Sequence, residues 1–366
     1  MTRFLKGVDT SVARAYRLAL LDLDGVVYRG RNAVPHAAEA IAEAERNGMT
    51  IEYTTNNSSR FQHVVADQLR GFGLAVEDWQ VITSSVVAAR MVAHSVPAGA
   101  KVLTIGAPHL REEVARNGLV PVANVDEGPA AVIQGWYPDM PWTELAQAAY
   151  AVERGATYFV TNRDLSIPRE QGIAPGCGSL VNAVIAATGV QPVGSAGKPE
   201  SAMYDEARML NAGEGRDLVP KEQSIAIGDR LDTDIEAGNR GGYDSMVVLT
   251  GVANPLQLLE ARPELRPTMI ARNLTGLNVP HAAPHRDGEG RWSCAGAEAW
   301  LDADGYLRVG DPNSLDALRA ACCLAWDLAD RDGRTLDADR LPAFSIDPAA
   351  TDTAADAAAA GPGQGA

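Results

Sequence analysis

The sequence predicts an α/β fold: a doubly wound parallel-sheet core with an inserted α/β domain, followed by a small C-terminal α+β module. Three observations lead there. Short apolar runs whose C-terminal ends carry polar residues recur along the chain, as buried parallel strands do. Helical stretches closed by glycine lie between them. The length of 366 residues exceeds what one ordinary core holds, so two or three domains are expected.

Residues 17–22 form the first apolar run and end in Asp22-Leu23-Asp24-Gly25, and residues 49–55 form the second, ending in Thr55-Asn56-Asn57-Ser58-Ser59. Between them 37–47 reads as a helix stopped by Gly48, which completes a strand–helix–strand unit. Runs at 101–105, 130–134 and 157–161, with helices at 108–116 and 142–154, supply the length of a second α/β domain inserted in the first. Strands at 224–229 and 245–250 then return to the first pattern, with a helix over about 232–240 ending at Gly241-Gly242. Sheets of this kind bind ligands beyond the carboxyl ends of their strands.

After about residue 280 the texture changes to a linker rich in Pro, His and Gly, and 314–330 reads as a helix. Residues 284–345 are expected to form the third module, and a chain cut near residue 282 is expected to stay folded and active. The stretch 347–366, dominated by Ala, Gly, Thr and Pro, is expected to be unstructured.

Composition narrows the function. Apolar residues at 46% and charged residues at 22% are ordinary for a globular protein. The net charge of −15 argues against a nucleic-acid partner, which needs concentrated Lys and Arg. Any phosphate ligand would then need local positive potential from a metal, a lysine and backbone N–H groups. Cys177, Cys294, Cys322 and Cys323 lack metal-binding spacing, and the vicinal pair reads as two small apolar residues of a helix. No apolar run has the length of a signal peptide or of a membrane span, so the expected compartment is the cytoplasm.

Four segments carry chemistry. In Asp22-Leu23-Asp24-Gly25 the two carboxylates are two residues apart at a strand end and so share a face. That closeness suits a bound Mg²⁺, a proton held for acid catalysis, or both, and an acidic strand end before a turn is the plain alternative. Asp229, Asp232 and Asp234 follow a second apolar strand. Asp229 and Asp234 suit a hard cation, whereas Asp232 suits a helix N-cap. Lys198, between Gly197 and Pro199, precedes a helical run at 200–210, with Pro199 suited to its first turn, and can oppose developing phosphoryl charge. The hydroxyl and N–H groups of 55–59 can hold a phosphate, although the segment alone is an ordinary Asn/Ser turn.

In order and separation these segments resemble the four motifs of the haloacid dehalogenase superfamily. Thr55-Asn56-Asn57-Ser58, Thr161-Asn162-Arg163-Asp164, Pro175-Gly176-Cys177-Gly178-Ser179 and Gly197-Lys198-Pro199 are similar to its NagD and 4-nitrophenylphosphatase branch. The resemblance covers about residues 15–275. It implies a Rossmann-like core at 15–82 and 189–275 and an inserted α/β cap at 83–188. It further implies Mg²⁺ as cofactor, Asp22 as nucleophile and metal ligand, and Asp24 as general acid and base with its backbone carbonyl on the metal. Asp229 completes the ligands, with Asp234 behind it. Thr55, Asn56 and Lys198 bind the phosphoryl group, while Asn57, Asn162 and Asp164 face the leaving group. Cys177 departs from the branch, which often has Asn there.

The whole make-up is similar to the actinobacterial glycerol 3-phosphate phosphatases, whose C-terminal piece resembles a truncated acetyltransferase-like domain. Expected partners are a small phosphate ester and, through the cap, a second copy of the chain. Phosphoglycolate, pyridoxal 5′-phosphate and nucleoside monophosphates stay open as substrates, because cap residues set the choice. So do a phosphomutase and a non-catalytic phosphometabolite-binding regulator.

Overall fold

A computed structural model describes residues 4–169, 171–213 and 215–352. Its chain groups into two compact units: Thr54–Gly71 with Val76–Leu210, and the remaining described residues.

In the first unit the strands Met269–Ala271, Asp244–Val248, Ser224–Gly228 and Leu18–Asp22 follow one another in that order, with residues 50–53 of the strand Thr50–Thr55 next. Leu18 pairs in parallel with Ser224, Ile225 with Asp244, and Met246 with Met269. Leu18, Leu20, Ile225, Ile227 and Val247 are fully buried, which is why these runs show no polar alternation. Leu18–Asp22 lies centrally, between the strand that follows it in sequence and one about 200 residues later. That is the topological switch point of a doubly wound sheet, where a crevice opens at the carboxyl ends. Helix Ala37–Arg46 ends before Gly48, whose φ of 97° needs a glycine.

The second unit holds its own parallel sheet, in the order Gly194–Ser195, Thr157–Val160, Ala131–Gln134, Lys101–Ile105 and Val120–Val122. Helices Pro108–Arg116, Trp142–Glu153 and Cys177–Thr188 belong to the same unit. The expected insertion at 83–188 lies wholly within it, and the unit also takes Thr54–Gly71 and residues 189–210. Packing thus draws the boundary elsewhere than the sequence does: Ser84 and Ser85 donate hydrogen bonds of 2.7 Å to the carbonyls of Asn56 and Ser58, fastening the second strand end to this unit.

The C-terminal α+β module is present, but it shares its core with the rest of the first unit. An antiparallel sheet of His285–Arg286, Trp292–Cys294, Ala297–Leu301 and Leu307–Val309 packs with helix Leu315–Asp332. Leu318, Cys322, Cys323 and Trp326 of that helix share one hydrophobic core with Leu231, Ile235, Val247 and Ile270. Trp326 Nε1 donates to the Leu258 carbonyl (2.9 Å), and buried Arg266 makes a bidentate pair with Asp330 (2.6 and 2.9 Å). The expected unstructured tail is also corrected over its first part. The Asn273 amide donates to the carbonyls of Pro348 and Ala350, and buried Asp352 pairs with Arg272 at 2.9 Å. Residues 353–366 lie outside the described residues. All four cysteines are free and buried, and no helix among the described residues is long and apolar enough to cross a membrane.

Two consequences can be measured. Removing residues 283–366 uncovers Leu231, Val247 and Ile270, so the shortened chain is expected to be insoluble. Trp326→Ala should lower unfolding free energy by about 3–5 kcal/mol, read from urea denaturation; a soluble, active truncation would refute the shared core.

The second concerns two buried histidines. Burial, and then the Arg319 guanidinium, hold His281 down to about 3; burial, then Arg116 and His63, hold His109 down to about 4. His281 Nε2–H donates to the Gly276 carbonyl (2.9 Å), and its Nδ1 accepts from Arg319 (3.2 Å). Both rings are neutral in the native protein, whereas the unfolded chain protonates near pH 6.5. Stability is therefore complete above about pH 6.5 and falls between about 6 and 4, by about 1.4 kcal/mol per pH unit for each ring. Urea midpoints measured from pH 7.5 to 4.5 should drop accordingly, less so in His281→Gln.

Candidate active site

In the first unit, Asp22 ends the central strand and Asp229 directly follows its neighbour Ser224–Gly228. Asp234 lies in the π-helical turn Leu231–Ile235 that comes next. One carboxylate oxygen from each of the three lies within 4.8 Å of the other two. Asp229 and Asp234 are buried, Asp22 is half-buried, and Asp24 is exposed. The Asp24 carboxylate is not part of this group.

The local chain is shaped around these carboxylates. Asp229 Oδ2 accepts the Val252 N–H at 2.7 Å, and Asp234 Oδ2 accepts the Arg230 N–H at 3.1 Å. Thr250 Oγ1 donates to the Gly25 carbonyl at 2.6 Å, tying the turn after Asp24 to the chain that follows Asp244–Val248, two strands away. That turn closes through Gly25 N–H to the Tyr28 carbonyl (2.8 Å), with Gly25 at φ 79°. A Cβ at Gly25 or Gly251 would collide with the Asp229 carboxylate, and one at Gly228 would collide with Asp234. Asp232 does not cap the helix, as expected of it; its carboxylate takes both forks of the Arg230 guanidinium at 3.0 and 2.9 Å on the surface.

Three close carboxylates, two of them out of water, repel strongly unless a cation lies among them. The group contains only oxygen donors, without His or Cys, and its least buried member leaves room for water or substrate. Such a set fits a hard divalent cation like Mg²⁺, which keeps part of its shell for water and phosphate oxygens.

The remaining predicted residues belong to the second unit. Lys198 is only 3% exposed, which removes the reading of a solvated surface lysine. Helix Ala202–Gly213 starts after it, so Pro199 stands outside the first turn. Asn56 Oδ1 accepts the Lys198 N–H (2.8 Å), and Asn56 Nδ2 donates to the Lys198 carbonyl (3.0 Å) and to both Asp164 oxygens (3.2 Å). Asn162 Nδ2 donates to the Asn56 carbonyl at 2.9 Å, and Asn162 Oδ1 accepts the Asp164 N–H at 3.1 Å. Buried Thr55 accepts the Asn57 N–H at 3.1 Å through Oγ1, and exposed Asn57 folds its Oδ1 onto Ser59. Burial pushes the Cys177 thiol up to about 11, so it stays protonated at neutral pH and is no nucleophile.

Sequence reasoning missed Ser84, Ser85, Thr250 and Gly251. The last two could have been found, because they follow the strand Asp244–Val248 at the same carboxyl edge as Asp229.

Residues 19–120 match the haloacid dehalogenase-like hydrolase family, and residues 195–277 match a HAD-hydrolase-like family. D-glycerol 3-phosphate phosphatase of Mycobacterium tuberculosis is 38% identical over 268 residues, 73% of this chain and 72% of that protein. The 5′-nucleotidase YutF of Bacillus subtilis is 35% identical over 240 residues, 65% of this chain and 89% of that protein. The crystal structure of glycerol phosphate phosphatase from M. tuberculosis in complex with magnesium superposes with a TM-score of 0.76 at 33% identity. It covers 87% of this chain and 92% of that one.

If the glycines are there to seat the carboxylates, Gly251→Ala should push Asp229 aside and weaken divalent-cation binding by about 10- to 100-fold. Isothermal titration with Mg²⁺ measures it, and unchanged affinity would show that the Asp229 position is not needed for the cation.

Proposed function

The chain belongs to the haloacid dehalogenase-like hydrolases, and on that basis we propose that it hydrolyses glycerol 3-phosphate through an aspartyl-phosphate on Asp22, with Mg²⁺ as cofactor. At the coarser level it is a phosphatase acting on a small phosphate ester. The observation that carries the reading is the carboxylate group at the switch point. Of its three members Asp22 is the least buried, so it can meet a substrate while Asp229 and Asp234 are enclosed.

Asp22, Asp229 and Asp234, with the backbone carbonyl of Asp24, would hold the metal. Mg²⁺ in that place offsets the negative charge of carboxylates and phosphate and polarises the phosphoryl oxygens. Asp22 attacks phosphorus in line, forming the aspartyl-phosphate as the P–O bond to the leaving group breaks. Asp24, exposed and held out on the turn at Gly25, gives its proton to the leaving alkoxide. The same carboxylate then takes a proton from the water that releases phosphate from Asp22. Thr55 and Lys198 bind the transferring phosphoryl group, and Asn57 faces the leaving group.

Glycerol 3-phosphate is favoured by how far the likeness extends. The M. tuberculosis glycerol phosphate phosphatase structure covers 87% of this chain, past the matched family segments that end at residue 277. YutF matches 65%.

Phosphate release from glycerol 3-phosphate, phosphoglycolate, pyridoxal 5′-phosphate and nucleoside monophosphates, compared by kcat/KM in Mg²⁺, tests the substrate. A preference of tenfold or more for another ester would displace it. Asp24→Asn should cost about 10² to 10⁴ in rate on an alkyl phosphate and less on an aryl phosphate, whose leaving group needs little protonation. Near-normal alkyl phosphate turnover would take Asp24 out of its role.

A further inference from the structure

We infer that Asn56 is a positioning residue for Lys198, clamping the lysine backbone through its side-chain amide. The inference rests on reading Lys198 as the cation that faces the phosphoryl group.

A primary amide offers a fixed donor and a fixed acceptor side by side. Asn56 uses both on one residue: Oδ1 receives the Lys198 N–H at 2.8 Å while Nδ2 reaches the Lys198 carbonyl at 3.0 Å. Two opposed hydrogen bonds on either side of one Cα fix its position and the direction in which its side chain leaves. Asn56 is itself held from three sides. Its carbonyl receives Ser84 Oγ (2.7 Å) and Asn162 Nδ2 (2.9 Å), and its Nδ2 also bridges to the Asp164 carboxylate (3.2 Å). Gly197 makes the approach possible: a Cβ there would lie 2.6 Å from Asn162 Cβ, 2.8 Å from Asn56 Oδ1 and 3.0 Å from the Thr161 carbonyl.

These bonds give the expected phosphate and leaving-group residues a different task. The Asn56 amide is directed at protein backbone, and the Asn162 amide is directed at Asn56 and at the Asp164 N–H. Both asparagines act on the substrate through Lys198. A lysine stem has four rotatable bonds, so a buried ammonium placed on a fixed anion depends on where its Cα is anchored.

A binding cycle on the full chain separates this from direct contact, with orthovanadate as the probe and titration calorimetry in Mg²⁺ as the readout. Lys198→Met should weaken orthovanadate. Asn56→Ala should weaken it by about 10- to 100-fold when Lys198 is present and by less than about twofold when added to Lys198→Met, since coupled residues are non-additive. An undiminished Asn56→Ala effect in the Lys198→Met background would overturn the inference, because Asn56 would then touch the anion itself. So would an Asn56→Ala variant that binds like the parent. Unweakened binding by Lys198→Met alone would instead remove the reading of Lys198 on which the inference stands. Should Asn56→Ala fail to fold, Asn162→Ala, which withdraws support from the Asn56 carbonyl, must show the same dependence on Lys198 at smaller size.

Discussion

Mutual repulsion among Asp22, Asp229 and Asp234 is the constraint to which the surrounding chain answers. Carboxylates brought that close at the mouth of a sheet whose interior excludes water would splay apart if side chains alone held them. Backbone does the holding: the N–H groups of Val252 and Arg230 each meet one carboxylate. Gly25, Gly228 and Gly251 let main chain lie where any Cβ would strike Asp229 or Asp234. Parallel pairing between Leu18–Asp22 and Ser224–Gly228 sets the separation. The geometry of this carboxylate group is therefore a property of strand register more than of rotamer choice.

Much of this was legible in the sequence. The apolar runs declared themselves because strands buried on both faces have no polar alternation, and Leu18, Leu20, Ile225 and Ile227 are indeed enclosed. Asp22 and Asp229 stood out for a related reason, since each is a carboxylate directly after such a run, and the structure brings the two together. The roles of Asn56 and Asn162 were not. An asparagine at a strand end reads the same whether its amide meets a ligand or a backbone 142 residues away, as the Asn56–Lys198 bonds do. Ser84 and Ser85 were invisible because a lone hydroxyl at a helix start has many ordinary uses.

The C-terminal segment misled for a different reason. The change of texture after residue 280 suggests a module of its own, and the charged residues Asp316 and Arg319 of the helix Leu315–Asp332 give no sign of its packing. Both are buried. Arg319 forms an ion pair with Asp316 at 2.7 Å and places two nitrogens on the Ile270 carbonyl at 3.1 and 2.6 Å. Polar residues thus point into the core, where they meet the main chain of the edge strand Met269–Ala271. Pattern reading assigns charged residues to water by default, and a buried pair satisfied by backbone defeats it.

The shared core of helix Leu315–Asp332 with Leu231, Val247 and Ile270 bears on how the protein is made. A ribosome delivers the chain from its N-terminus, and domains fold as their sequence emerges. Every residue of the second unit has been synthesised once Leu210 is added. The strand carrying Asp22 precedes most of that unit, whereas one of its two sheet neighbours, Ser224–Gly228, and the helix Leu315–Asp332 both follow it in sequence. Until those segments emerge, the strand that carries Asp22 lacks one of its two neighbours in the sheet. The apolar surface of Leu231, Val247 and Ile270 stays uncovered in the nascent chain until the helix Leu315–Asp332 has been made.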